Sequence, residues 1–309
     1  MGYSYSIHDH FVRAILGNKE MARAYFRTVI PDYILDTLDL STLRPMSESY
    51  VSADLKKILS DVVYSCKRKD HKGDAGISLL LEHKSAPDKY TPLQIGSYLF
   101  SGYRQQVRQG ATPLSPILPI LFYHGKDQWE YRTMSTLFGE TGQKVGDEKN
   151  LDLYPFIPNY QYIYHNLREI PDGKIGSSEN KFLSASLLVL KHAFDRSWLS
   201  DNFMSFLIDG LPYGDKELQQ AFITYYFNRV DFSEKQAEEK INKLPLNIKE
   251  TVMSTYDRLI EKGRLEEREK VYTEKLRAAS KMLESGFDFQ LISDILDLPM
   301  ADIEDLGKK

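Results

Sequence analysis

Asp61, Glu82 and Lys84 are the residues of this chain whose types and spacing could do chemistry together. In an extended strand, positions two apart share a face, so Glu82 and Lys84 point one way and His83 the other. The His83 backbone carbonyl is then left at the edge of the same site. Asp61 lies on the preceding β-rich run, ILSDVVYSCKR (58–68), and a hairpin between the two runs brings its carboxylate beside that of Glu82. Two carboxylates and a carbonyl make an all-oxygen, octahedral-leaning ligand set that suits Mg2+, with Mn2+ or Ca2+ as substitutes. A cation there would bind a phosphodiester oxygen and lower the pKa of water, while the Lys84 ammonium orients the nucleophile and offsets developing negative charge. The expected chemistry is metal-assisted phosphodiester hydrolysis.

Glu-x-Lys by itself carries little weight, because it occurs three times, at Glu82–Lys84, Glu179–Lys181 and Glu238–Lys240. Only the first directly follows a mostly apolar run, Ile77 to Leu81, and only it has an acid on an adjacent strand pattern. The plain structural reading is a strand-end salt bridge between Lys84 and Glu82, worth little energetically. Gln94 and Tyr98 add to the functional one. They stand four apart on the next helical pattern and share a face, so both can reach the same site. The Gln94 amide can hydrogen-bond a phosphate or Lys84, and Tyr98 can stack on a base or donate to phosphate. Lys67, Arg68, Lys69, Lys72, Arg104 and Arg108 are candidate phosphate contacts. His8-Asp9-His10 reads from its own residues as the start of a helix rather than as a metal pair.

The elements that must position these residues follow from periodicity. Residues 8 to 30 repeat apolar positions at spacings of three and four and predict a helix ended by Pro31. Residues 58–68 and ISLLLEHKS (77–85) predict two strands, the second a buried central one with a polar end. Pro92 opens a helix from about Leu93 to Arg108, with Gly110 as its stop. PILPILFY (116–123) is another apolar strand, and Tyr160, Tyr162 and Tyr164 alternate in a later one. The order predicts a mixed α/β layer fold. Beyond about residue 175 the strand signal fades, and residues 181–194 and 216–230 read as core helices. Residues 257 to 284 hold 15 charged residues, which predicts a long solvated or coiled helix. Gly286 is a plausible cap before a helix at 289–297.

Composition narrows the function classes. Over 309 residues, 40 Lys and Arg against 44 Asp and Glu give a formal charge of −4, which excludes a globally basic nucleic-acid coat. That charge is uneven. Residues 56 to 108 carry ten cations and five acids, a local +5, so the remainder carries −9. One basic stretch in an acidic protein suits a polyanion bound at one place. The single cysteine, Cys66, removes intramolecular disulfide and CxxC zinc readings and fits a reducing cytoplasm. No apolar run is long enough to span a membrane, and no secretory signal opens the chain. Dinucleotide, P-loop, zincin and serine-hydrolase motifs are missing, so no organic cofactor is expected.

HDHFVRAIL, DLSTLRP (39–45), SDVVY (60–64), LLLEHKSAPDK (79–89) and PILPILFYHGKDQW (116–129), in this order, resemble the recombination-promoting nuclease family, also labelled PD-(D/E)XK transposase or YhgA-like. EKGRLEER (261–268) and the residues after it resemble that family's repeat-and-helix tail. The resemblance implies a restriction-endonuclease-like PD-(D/E)XK core, a mixed sheet flanked by helices, with an α-helical C-terminal extension. It also implies a Mg2+-dependent DNA endonuclease that promotes recombination or serves mobile elements. Asp61 matches the family's acid in its Ser-Asp-hydrophobic motif, and Glu82 that of its Glu-His-x-Ser motif. Lys84 keeps the superfamily lysine where many members have Gln. Asp9 matches the His-Asp-x-Phe motif and could approach the metal from the first helix. Gln94 with Tyr98 resembles the Gln-x-x-x-Tyr element of exonuclease-type members. The expected division is a nuclease core over 1–175, a helical extension over 176–256, and a charged helix with a small helical tail over 257–309. Residues 284 to 309 carry seven acids and two lysines, which argues for self-association there rather than DNA contact. The expected partner is double-stranded DNA, met in the cytoplasm at the nucleoid. The rival readings are a catalytically silent DNA-binding or scaffold protein of transposon origin, and an RNA-cleaving phosphodiesterase on the same core.

Overall fold

A computed structural model of the chain describes residues 7–46, 62–69, 77–142 and 154–307. Asp61 and Lys72 lie outside them, and Glu82 is described by its strand position alone.

The first helical pattern, expected to run unbroken, makes two helices, α1 (Ile7–Gly17) and α2 (Lys19–Val29). Asn18 makes the break. It is extended, and its side chain accepts from the backbone N–H groups of Glu20 at 3.0 Å and Met21 at 3.2 Å, satisfying donors that a new helix start leaves open. Both helices bury the same apolar stripe, Phe11, Val12, Ile15 and Leu16 followed by Met21, Tyr25 and Phe26, so periodicity alone could not reveal the break. A short α3 (Asp32–Leu35) follows Pro31.

Five strands then form one sheet in chain order: β1 (Leu38–Pro45), β2 (Val63–Arg68), β3 (Ile77–Lys84), β4 (Ile117–Tyr123) and β5 (Ile163–Asn166). The first two pairings are antiparallel, with Val63 opposite Leu80 and Cys66 opposite Ile77. β3 with β4, and β4 with β5, run parallel. The parallel step needs a crossover, and α4 (Thr91–Arg108) supplies it. Pro92 sits in its first turn, and Gly110, at φ +78°, ends it in a conformation that favours glycine. The inner face of α4, Ile95 and Leu99, packs with Leu121, Tyr123, Trp129 and Tyr162.

β1 carries no strand reading from its sequence, because its register shifts between Asp39 and Arg44 and breaks the alternation. β5 begins only at Ile163. Tyr160 and Tyr162 precede it and Tyr164 lies within it; Tyr162 and Tyr164 brace the loop after β4, donating to the Arg132 and Trp129 carbonyls at 2.6 Å each, and Tyr160 donates to the Pro92 carbonyl. Cys66 is buried on β2. Burial first, and then Asp39, push its thiol up to about 11, so it behaves as a small apolar core residue.

Helices α5 (Asp172–Gly176), α6 (Lys181–Lys191), α7 (Arg196–Ser205), α8 (Lys216–Phe227) and α9 (Glu234–Asn242) complete the first unit. The helices expected as an extension fold back on α1. The Phe11 and Tyr225 rings stack at 4.1 Å, and Met1–Thr251 is one compact unit. The second unit, Val252–Lys309, contains most of α10 (Leu246–Glu284) together with α11 (Phe289–Leu296) and α12 (Met300–Gly307), around Ala279, Ile292, Leu298 and Ile303. Gly286 (φ +81°) and Asp297 (φ +49°) turn the chain between these helices. Among the described residues no helix is long and apolar enough to cross a membrane.

Candidate functional site

The carboxyl end of β3 sends successive side chains to opposite faces of the sheet, as pleating requires. Lys84 goes to the α4 side. Its ammonium donates to Gln94 Oε1 at 2.8 Å and lies 3.8 Å from Asp88 Oδ2. Gln94 in turn donates to the Tyr98 hydroxyl. The Lys84 side chain is 21% exposed, so it is partly desolvated yet open to a ligand, and a fixed cation there acts more strongly than one in water. Lys84 and Gln94 are thus brought together as the sequence reading expected. Tyr98 is not available for stacking. It is 3% exposed, because it lies one turn beyond Gln94 on the flank of α4 that meets the sheet layer, and it braces Gln94 instead.

His83 goes to the α1 side. Its Nδ1 lies 3.0 Å from Asp9 Oδ1, and its ring stacks on His124 at 4.9 Å and 9°. A carboxylate only accepts, so His83 donates from Nδ1. His124, the residue after β4, donates from Nδ1 to the Leu190 carbonyl at 3.2 Å. Both Nε2 atoms are buried without a hydrogen-bond partner among the described residues. His8 lies 4.9 Å from His124, and its Nδ1 meets the Tyr225 hydroxyl at 2.7 Å. Burial pushes His8 down to about 4, helped by Arg229 and His83, and pushes His124 well below the usual imidazole range. This histidine layer escaped the sequence reading. Its one signal was His124 directly after an apolar strand, at the position that continues β4 beside His83.

Asp9 therefore sits on the His83 face, engaged with an imidazole, and not on the Lys84 face where a shared metal site was expected. Among the described residues no three His, Cys, Asp or Glu side chains gather closely enough to hold a metal ion. The remaining candidate donors, the Glu82 carboxylate and the His83 carbonyl, are oxygens, a donor chemistry that fits a hard divalent cation.

Nor do the basic residues ring Lys84. Lys67, Arg68 and Lys69 are exposed, but Cys66 faces Ile77, and Lys84 stands seven residue steps along the strand from Ile77, about 23 Å. Arg104 and Arg108, also exposed, stand ten and fourteen residues along α4 from Gln94, about 15 and 21 Å. The loops that follow β3 and β4 enclose a cavity of about 530 Å3, lined by Pro87, Lys89, Gln128, Trp129, Glu130 and Arg132.

The architecture is that of an α/β protein whose polar residues collect where a central parallel strand pair ends and a helix begins. The chain belongs to the YhgA-like transposase family, whose profile, described as "Putative transposase, YhgA-like", matches residues 6–221. It is 24% identical over 303 residues to the inactive recombination-promoting nuclease-like protein RpnE of Escherichia coli (strain K12), covering 96% of each chain. To the recombination-promoting nuclease RpnA of the same strain it is 25% identical over 304 residues, 96% of this chain and 91% of that one. To the recombination-promoting nuclease RpnD of Escherichia coli O157:H7 it is 28% identical over 119 residues, 38% of this chain and 45% of the relative. Similarity thus reaches a protein named as a nuclease and one named as inactive at nearly equal identity. No solved structure matches.

Proposed function

We propose that the chain is a Mg2+-dependent DNA endonuclease with a PD-(D/E)XK core, acting in recombination or mobile-element biology. The observation that carries this reading is the 2.8 Å contact from Lys84 to Gln94, which joins the end of β3 to α4 and holds an ammonium at a partly open strand end. Asp61, Glu82 and the His83 carbonyl would hold the cation. The proposal requires Asp61 to meet Glu82 across β2 and β3. In the described antiparallel register, with Val63 opposite Leu80, a position two residues before Val63 would stand opposite one two residues after Leu80. A cation held there supplies Lewis-acid polarisation of a phosphodiester oxygen and of water. The chain's own residues do the rest. Lys84 orients the nucleophile and offsets charge on the phosphate, Gln94 fixes the direction of Lys84, and Tyr98 fixes Gln94. Asp9 acts at one remove, holding the His83 ring and through it the backbone of the strand end. The proposed partner is double-stranded DNA, and the proposed compartment is the cytoplasm, at the nucleoid.

A catalytically silent DNA-binding or scaffold role is the second reading, favoured by the similarity to RpnE, a protein named as inactive. The presence of Asp61, Glu82 and Lys84 together favours activity. Incubating supercoiled plasmid, linear DNA and RNA with purified protein in Mg2+ or EDTA, beside Glu82→Ala and Lys84→Ala, separates the readings. Cleavage of DNA in Mg2+ alone, lost in both variants, is the expected result. Equal cleavage by the variants discards the site, no cleavage by the wild type at any metal level favours the silent role, and selective loss of RNA moves the substrate.

A further inference from the structure

The outward face of α4 carries Leu93, Ser97, Phe100, Arg104 and Val107 at alternating steps of four and three, with Arg108 beside Val107, all exposed. Phe100 is 60% exposed and Val107 62%, which is unusual for large apolar residues on the helix that also forms the inner wall of the candidate site. Phe100, Tyr103, Arg104, Val107 and Arg108 line one depression of about 390 Å3. Its lining combines aromatic and aliphatic side chains with two arginines. From Lys89 to Lys126 the sequence contains no Asp or Glu at all, while Lys89, Arg104, Arg108 and Lys126 are cationic.

A second copy of the chain is a poor occupant for this face, because a two-fold contact through it would oppose arginines to arginines with no local acid to answer them. A polyanion with flat apolar parts fits both halves of the surface. We propose that this face of α4 binds a DNA strand at an unpaired base, with Phe100 stacking on the base in the depression and Arg104 and Arg108 holding the flanking phosphates. Stacking on an exposed aromatic ring tolerates any base, and arginine contributes both charge and a flat cation. Phe100 takes the part that the sequence reading gave to Tyr98, six residues from Gln94 and so about 9 Å along the helix. With the arginines about 15 and 21 Å from Gln94, a strand laid along α4 is gripped two to six nucleotide steps, roughly, from the residues at the end of β3. The inference deepens the nuclease reading and rests on it for the identity of the polyanion.

Binding is measured in EDTA, so that cleavage plays no part, with the full chain and three fluorescent probes: a 20-base-pair duplex, the same duplex with one unpaired central thymine, and a single-stranded thymine 20-mer. Wild type should prefer the two probes with unpaired bases. Phe100→Ala should weaken those two by about tenfold and leave the paired duplex little changed, while Phe100→Trp keeps the preference. Arg104→Ala with Arg108→Ala should weaken all three probes and lower the salt dependence, by about 0.7 in log–log slope per lost contact on the single strand. All substituted side chains are exposed, so folding is not at stake. Wild-type affinity for all probes in Phe100→Ala overturns the inference, as does a Phe100→Ala chain that changes oligomeric mass instead of binding. These results leave the nuclease reading standing if Lys84→Ala still abolishes plasmid cleavage. A wild type that binds none of the probes overturns both.

Discussion

Lys84 donates to the neutral Gln94 amide at 2.8 Å and lies 3.8 Å from Asp88, so its ammonium is held in a fixed direction at the strand end. Lys84→Met should lower plasmid cleavage in Mg2+ at least about a hundredfold, the scale of removing one fixed electrostatic group, and change DNA affinity in EDTA much less. A variant that cleaves like wild type removes Lys84 from the site. The buried histidines make a second residue-scale prediction. Burial pushes His165 down to about 4 and His124 well below 6.5, whereas both titrate near 6.5 when unfolded. Between these limits the unfolded chain binds more protons than the folded one, so stability is full above pH 6.5 and falls as pH falls toward 4. Each such histidine contributes up to about 1.4 kcal/mol per pH unit. Urea midpoints should drop from pH 7.5 to pH 5, a range in which few ordinary carboxylates titrate. Constant midpoints would mean that these rings accept protons inside the fold.

At the scale of elements, the site depends on how closely the ends of β3 and β4 approach. Gly125 is the key to that approach. A Cβ built there would collide with the Ser85 carbonyl and the Tyr123 ring, so only glycine lets the two exits run side by side. Tyr123 also donates to the Asp127 carbonyl at 2.7 Å, tying the following loop back to β4. Gly125→Ala should lower stability by about 1–3 kcal/mol, the usual scale of overpacking, and lower cleavage beyond what the lost folded fraction explains. A thermal melt coincident with wild type would show that the loops can separate without cost. Most elements were legible in the sequence: α4, β3, β4, α6 and α8 all follow their apolar periods, and Gly110 and Gly286 stop helices where expected. The exceptions have local causes. Asn18 caps a new helix inside an unbroken apolar stripe, and the irregular register of β1 hides its alternation.

For the whole molecule, the division at Thr251 separates two kinds of surface chemistry. The second unit exposes Leu265 (49%), Phe287 (46%), Leu291 (46%) and Ile295 (58%), while residues 284 to 309 are net acidic. That combination disfavours phosphate and favours protein contact, and we propose that this unit mediates self-association. Native mass measurement should find an oligomer for the full chain and a monomer for a chain ending at Lys249. A full chain that is monomeric, or a shortened one that still assembles, refutes this.

By itself the sequence determined the layer class, the order of the main elements, the shared helix face of Gln94 and Tyr98, and the opposite facing of His83. All of these follow from periods of 2 and 3.6 acting over short stretches. Only the tertiary structure decided which face each neighbour occupies. Asp9 lies with His83 and not with Lys84, Tyr98 is buried while Phe100 is exposed, and the basic residues are spread along the sheet rather than gathered at one end. The reason is that burial and proximity depend on which element packs against which. Helices α6 and α8, more than a hundred and sixty residues from α1, settle where the His8-Asp9 corner sits, and nothing in the local spacing of those residues encodes that contact.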